Sequence, residues 1–259
     1  MISYDPYEYR FPSRRRDLYA ANAMVASSHP LATAAGIKIL EQGGNAIDAC
    51  VAVAIALPVV EPAATTFGSD NFAIIWSGGK LHGMSASGFS PWELTEEYLR
   101  SRHYSGRIPA GGWDSTTLPG CVAGWIRLLK DYGTMSLAEA AQPAVELAEK
   151  GHPITPYVQG SFQTWRDRLT PGLTEEEARN FDREFFPGGA APAPGQLVKH
   201  PAMAAFLQEI IETEGASLYE GGRIAQAILR ESKKGGQMKF EVPVCKSKFQ
   251  LPGICKRKR

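Results

Sequence analysis

FAIIWSGGKLHGMS, residues 72–85, decides the fold. Phe72 to Trp76 and Lys80 to Ser85 have the composition of strands. The link Ser77-Gly78-Gly79 is short and glycine-rich, which lets the two strands pair antiparallel. A lone hairpin is only marginally stable and needs more strands or a helix layer. Residues 86–238 supply few further strand candidates. The pattern therefore predicts a sheet whose other strands lie outside this chain.

Upstream, Pro30 suits the first position of a helix, where its missing N–H costs nothing. Ala32, Ala35, Gly36, Ile39 and Leu40 then follow on one helical face. Gly43 and Gly44 end that helix, since glycine tolerates the left-handed conformation after a helix end. Asn45 caps a second helix, with Asp48 at its third position, near the positive end of the helix dipole. Ile47 to Leu57 is apolar almost all round, which predicts burial on every side. Pro58 and Pro62 are expected to stop it. Residues 1–22 read as an extended arm, and Met24 to Ser28 as a short buried strand.

Downstream the chain is mainly helical. A helix is expected over Glu93 to Arg102, then a Gly-rich loop over Ser105 to Thr117. Cys121, Gly124, Trp125, Leu128, Leu129 and Tyr132 form a helical stripe. Ser136 and Glu139 form a capping box, and Pro143 should kink or split the helix they start. Thr155-Pro156 begins a helix to about Leu169. Pro171 to Gln196 is a Pro/Gly-rich excursion whose acids alternate with Arg179 and Arg183 as a solvated face. Pro201 opens a helix with Met203, Phe206, Leu207, Ile210 and Ile211 on one side. Ser217 and Glu220 start the last helix, through Ile224, Ile228 and Leu229 to Gly235-Gly236. There is no internal repeat.

At 259 residues, 44% hydrophobic and 21% charged, the chain is one large packed domain or a domain with a lobe. Four scattered cysteines make no disulfide framework, which points to a reducing compartment and a cytoplasmic location. The longest apolar run, Ala46 to Val60, is interrupted by Asp48 and Pro58 and falls short of the ~20 residues that cross a bilayer. The early arginines precede no apolar stretch of a signal peptide. No membrane partner is expected.

The net charge of +1 is uneven. From Lys239 onward there are seven Lys/Arg and one acid, Glu241, so residues 1–238 carry 21 Lys/Arg and 26 Asp/Glu. A mildly acidic body gives no electrostatic reason to bind nucleic acid. The 239–259 tail is either a localisation or phosphate-binding segment or a chain end foreign to the fold. Three regions result: arm 1–22, body 23–238, tail 239–259.

Site chemistry is sparse. His29, His82, His103, His152 and His200 are never at metal-ligand spacing, and no metal or cofactor is expected. Gly43-Gly44 follows a helix rather than a strand, so it is a helix cap and not a phosphate loop. The pairs Thr65-Thr66 and Thr116-Thr117 have no His or Lys nearby to act as base and read as inert.

Motifs in series say more. MVASSHPLA (24–32), GIKILEQGGNAIDA (36–49), VEP (60–62), GSDNFA (68–73), LPGCVAGW (118–125) and KDYGTM (130–135) occur in one order, followed by LYEG (218–221) and Gly235-Gly236. Together they resemble the large subunit of the γ-glutamyltransferase (γ-glutamyltranspeptidase) family over residues 20–238. The resemblance implies an α/β (α+β) fold. Specifically, it implies the αββα sandwich of an N-terminal-nucleophile hydrolase, of which this chain is the helix-rich large-subunit half.

It further implies an enzyme made as a self-cleaving precursor. A newly exposed Thr starts the small subunit, and its hydroxyl attacks a γ-glutamyl amide with its own α-amine as base. The expected partners are therefore that small subunit and a small γ-glutamyl (glutathione-type) or related amide substrate.

The nucleophilic Thr is expected beyond this chain, so the chain alone is expected to be inactive. In the family an Arg before the Pro of the post-strand loop clamps the substrate's α-carboxylate. Counting back from Pro91 places Ser87 at that position. A hydroxyl cannot replace the bidentate guanidinium fork. The loop at 86–91 is more similar to the signal-free, γ-glutamyltransferase-like subgroup. The alternatives are an acylase acting on another acyl amide, or a non-catalytic scaffold domain. The family pattern stops near residue 238, so the tail is expected to be foreign.

Overall fold

The computed structural model describes residues 18–91, 94–102, 104, 106–108, 112–169 and 173–234. The 239–259 tail, residues 1–17 of the arm, His103, parts of the 105–117 loop and the Gly235-Gly236 helix end lie outside the described residues.

The two predicted helices after Pro30 form as α1 (Pro30–Glu41) and α2 (Ala46–Val60). Gly36 permits their close approach. A Cβ there would lie 2.7 Å from Val53 Cγ2 and 2.9 Å from Val25 Cγ1. Asn45 and Asp48 make a full capping box, and α2 is buried on nearly every side. Pro58 does not stop α2, which runs on to Val60. In the last turn proline removes one backbone bond, and the Glu61 N–H donating to Leu57 O (2.8 Å) still closes the helix.

The predicted hairpin also forms. β1 (Asn71–Ser77) pairs antiparallel with β2 (Lys80–Ala86), Phe72 opposite Ser85 and Ser77 opposite Lys80. Gly78 (φ 57°) and Gly79 (φ 73°) make a two-residue turn with both residues left-handed, the geometry that matches strand twist. Ala73, Ile75, Met84 and Ala86 face inward. The other face bears Phe72, Ile74, Trp76 and Leu81, all 67–83% exposed. Among the described residues no third strand joins this sheet. Met24 to Ser28 is not the buried strand expected: Val25 and Ser27 are half-buried, their neighbours are exposed, and no ladder pairs them. The extended alternation is present, but a strand needs a partner.

Helix α3 is shorter than expected, Glu96–Ser101, with Thr95 as its cap. A 3-10 turn at Trp113–Ser115 precedes α4 (Cys121–Tyr132), which buries the predicted stripe against the hairpin and α2. Helix α5 (Leu137–Lys150) starts at the Ser136/Glu139 box and is not split at Pro143. It lies between α2 and α8 (Pro201–Glu212), and burial of Ala140, Ala141, Pro143 and Ala144 outweighs one lost backbone bond.

The 171–196 excursion contains a helix that was not expected. After β3 (His152–Pro153) and α6 (Pro156–Leu169), α7 (Glu175–Phe185) begins at a Thr174/Glu177 capping box. Its acids are not all solvated, since Asp182 pairs with Arg166 at 2.9 Å. The excursion returns through β4 (Leu197–Val198), which pairs with β3. The single last helix expected from Ser217 is instead α9 (Ala216–Tyr219) and α10 (Arg223–Lys234). Gly221 (φ 80°) breaks it, and Ser217 Oγ accepts from the Ile224 N–H (3.2 Å) at the new start.

Three apolar clusters result among the described residues, the smallest being Ile39, Ala49 and Ala52 between α1 and α2. The main one joins α1, α2, α4, α5, α8 and Ile75. The second is a lobe of Ile154, Val158, Phe162, Phe186 and Val198, with Trp165, Phe181 and Phe185 packed on it.

Candidate functional site

The motif segments meet at the base of the hairpin, where α4 begins. The loop after α2 carries a tight turn at 66–69. Ser69 Oγ accepts from the Thr66 N–H (2.9 Å), and Thr66 Oγ1 accepts from the Gly68 N–H (3.2 Å). Ser69 O then accepts from the N–H groups of Cys121 (2.9 Å) and Gly120 (3.3 Å), and Cys121 Sγ donates to Phe67 O (3.1 Å). An unpaired N–H at a helix start is thus satisfied by the turn. Burial pushes the Cys121 thiol up to about 12.

The loop after β2 is clamped onto the same place. The Leu118 N–H donates to Phe89 O at 2.8 Å. A Cβ on Gly120 would lie 2.1 Å from Ala86 O and 2.5 Å from Gly88 N. Gly88 is left-handed (φ 68°), and a Cβ on it would lie 1.7 Å from Leu118 O. Only glycine fits either position. Ser87 sits half-buried inside this clamp, between Ala86 and Gly88, while Phe89 is 56% exposed. From the far end of the chain, the Tyr219 hydroxyl donates to Pro119 O (3.0 Å) and accepts from the Ala123 N–H (3.0 Å). Burial raises its phenol pKa strongly.

Two other motif pairs make structural junctions. Asn45 Nδ2 donates to Tyr132 O (2.7 Å), and the fully buried Asp48 accepts from Asn45 N, Thr134 N, Thr134 Oγ1 and Met135 N. Burial alone would raise the Asp48 pKa, but these hydrogen bonds outweigh it and hold the carboxyl below its usual range. Ser28 Oγ donates to Glu61 Oε2 (2.6 Å) beside the buried His29. Burial lowers the His29 pKa, opposed by the Glu61 charge.

Of the threonine pairs, Thr65 Oγ1 is buried with no hydrogen-bond partner among the described residues. Thr66 Oγ1 is used in its turn, and Thr116 Oγ1 donates to Gly112 O (3.0 Å). Sequence reasoning missed Gly88, Gly120 and Tyr219 as shapers of the site. It also missed Asp114, which accepts from the Tyr98 hydroxyl (3.0 Å) and the Tyr104 hydroxyl and pairs with Arg102 (3.4 Å) in the loop downstream. The LPG and LYEG spellings were visible, but their meeting was not. Among the described residues no three His, Cys, Asp or Glu converge to hold a metal, and no helix is long and apolar enough to cross a membrane.

A family model described as Gamma-glutamyltranspeptidase matches residues 32–241. The Acylase ACY 1 proenzyme of Pseudomonas sp. (strain SE83) is 32% identical over 229 residues, covering 84% of this chain and 39% of that protein. The Glutathione hydrolase-like YwrD proenzyme of Bacillus subtilis (strain 168) is 33% identical over 226 residues, covering 85% and 41%. The chain thus spans about two fifths of the length of these relatives. Among solved structures, the cephalosporin acylase from Bacillus halodurans superposes with a TM-score of 0.84 at 40% identity, over 94% of this chain and 46% of that one. Helicobacter pylori gamma-glutamyltranspeptidase gives 0.76 at 32% identity, over 86% and 63%.

Proposed function

Because the chain belongs to the gamma-glutamyltranspeptidase family, we propose that it is the large-subunit part of an N-terminal-nucleophile enzyme that cleaves or transfers the acyl group of a small γ-glutamyl-type amide. The observation that carries this reading is the bare hairpin. One face of β1–β2 is covered by α4, and the other exposes Phe72, Ile74, Trp76 and Leu81. Covering four such side chains is worth roughly 6–12 kcal/mol, at about 1.5–3 kcal/mol each. A second sheet, supplied by the small subunit, is the natural cover in an αββα sandwich.

In the proposed reaction the small subunit's terminal Thr hydroxyl attacks the amide carbonyl, and its α-amine takes the hydroxyl proton. The C–N bond breaks, the amine leaves with a proton, and an acyl ester remains. Water or an amine acceptor then releases the acyl group. This chain's part is to shape the acyl site with the clamped 86–91 loop and Ser87.

A second reading, an acylase for amides without a γ-glutamyl α-carboxylate, is favoured by that same loop. Residues 81–99 contain no Lys or Arg, and Ser87 offers only a hydroxyl. A reducing, cytoplasmic setting is proposed as well, supported by the free thiols of Cys50 and Cys121.

The test is amine release from a γ-glutamyl anilide and from a glutaryl anilide. The 259-residue chain alone should release none, and turnover by it would remove the small subunit from the mechanism. For the precursor that includes a small subunit, equal use of both substrates supports the acylase reading. Strong preference for γ-glutamyl supports the first. In that precursor Ser87→Arg should tighten γ-glutamyl binding; an unchanged KM would remove Ser87 from the carboxylate position.

A further inference from the structure

The main apolar cluster and that of the lobe meet along a seam of buried histidines that the proposed chemistry does not use. His152 in β3 and His200 ahead of α8 lie with ring centroids 5.6 Å apart. His29, ahead of α1, acts electrostatically on His152. The three are 3%, 1% and 2% exposed for His29, His152 and His200. His152 Nε2 lies 3.1 Å from Val59 O in α2. A carbonyl only accepts, so that nitrogen carries the proton and Nδ1 is bare. His200 Nδ1 faces Glu184 Oε1 of α7 at 3.2 Å, and His29 Nδ1 accepts from the Leu31 N–H. His152 Nδ1, His200 Nε2 and His29 Nε2 have no hydrogen-bond partner among the described residues.

The charges around this seam do not favour a proton on His152. Glu61, after α2, is engaged by Ser28 and acts on His29. Glu184 serves His200. Lys150, ending α5, and Lys199, between β4 and His200, are exposed cations. No carboxylate among the described residues hydrogen-bonds His152. A charged His152 would be a buried cation beside two other imidazoles.

We propose that His29, His152 and His200 form an acid-sensitive latch that joins the lobe of β3, α6, α7 and β4 to the helical core, and that acidification detaches this lobe while α2, α4 and α5 stay folded. Ala63 packs on the lobe's cluster, so detachment also frees the start of the 61–70 loop at the candidate site. Burial, then the neighbouring His200, lowers the His152 pKa to about 4. The folded value lies below the ordinary 6.5, so the closed state binds fewer protons than the open one. Its stability is complete above about pH 6.5 and falls as pH drops towards about 4. At pH ~5 this one group raises the open population about 30-fold over its value at pH ~8.

The test is hydrogen exchange by mass spectrometry on the full chain across this pH range, corrected for the intrinsic exchange rate. Expected is a rise of about 10-fold or more in the opening of the lobe amides by pH ~5, with those of α2, α4 and α5 unchanged. His152→Gln keeps an N–H donor for Val59 O but cannot titrate, and should abolish most of the rise. A lobe that stays closed, a lobe that opens only together with α2, or an unchanged rise in His152→Gln overturns the latch. Should that variant not fold, NMR titration of the wild-type imidazoles decides. An apparent His152 pKa near 4 that tracks the opening supports the latch, and a value near 6.5 overturns it.

Discussion

Replacing Asp48 with alanine tests whether the buried carboxylate ties the first helical hairpin to the α4–α5 turn. Asp48 is 0% exposed and accepts from Asn45 N (2.8 Å), Thr134 N (3.0 Å), Thr134 Oγ1 (2.7 Å) and Met135 N (3.2 Å). Alanine removes every acceptor at once. The Thr134 hydroxyl can rotate away, and the Asn45 N–H stands at a helix start that water can reach. Thr134 is exposed, so its N–H can turn to water, and the half-buried Met135 N–H loses its acceptor at about 1–3 kcal/mol. With the lost capping box, worth about 1 kcal/mol, the total is roughly 2–4 kcal/mol. Set against a domain stability of about 5–15 kcal/mol, that is a large fraction.

The assay is urea unfolding of the full chain followed by far-UV circular dichroism. With a slope of about 2–3 kcal/mol per molar, the midpoint should fall by roughly 1–2 M. Asp48→Asn, which keeps one acceptor oxygen, should lose about half as much. The carboxyl titrates below its usual range when folded. Its contribution is therefore present above the unfolded value and disappears as pH falls through the folded one. The alanine variant should lose this acid-dependent component. A midpoint within about 0.3 M of wild type would refute the reasoning, because it would mean the four donors find other partners.

Gly120→Ala must push the loop after β2 off α4, since the new Cβ meets only backbone. Expected is faster hydrogen exchange at 86–91, and an unchanged rate would count against the clamp. Ile74→Lys with Trp76→Lys should improve the solubility of the isolated chain, read by light scattering, because both sit on the open sheet face; unchanged scattering would mean that face is not what associates. Cys121 should resist a thiol reagent at pH ~8 in the folded chain and react only on unfolding, as its thiol is held near 12 and donates to Phe67 O. Rapid labelling of Cys121 in the native chain would contradict its buried place.

Local signals suffice where the chain decides alone. The caps at Asn45 and Ser136, the Gly78-Gly79 turn and the α4 stripe all follow from spacing within about one to three turns of helix or strand. Proline inside a helix decides less than its local effect suggests. Pro58 and Pro143 each remove one backbone bond, and packing of α2 and α5 outweighs it. The helix at Glu175–Phe185 had its Thr174/Glu177 box in plain sight but was masked by the prolines and glycines around it. At the candidate site, Ser87 was proposed by counting within a loop. Gly88, Gly120 and Tyr219 were not, because their roles depend on contacts between distant segments.

By itself the sequence determined the helical hairpin, the unaccompanied β1–β2 ribbon and the family to which the motif order belongs. The first two rest on backbone preferences and periodic burial, which neighbouring residues set, and the family rests on the resemblance of its motif series. Only the tertiary structure decided that Asp48 would serve Thr134, 86 residues away, that Tyr219 would brace the start of α4, and that three histidines would be sealed in one seam. The physical reason is that a buried polar group must find its partner in space, and chain separation does not constrain that choice.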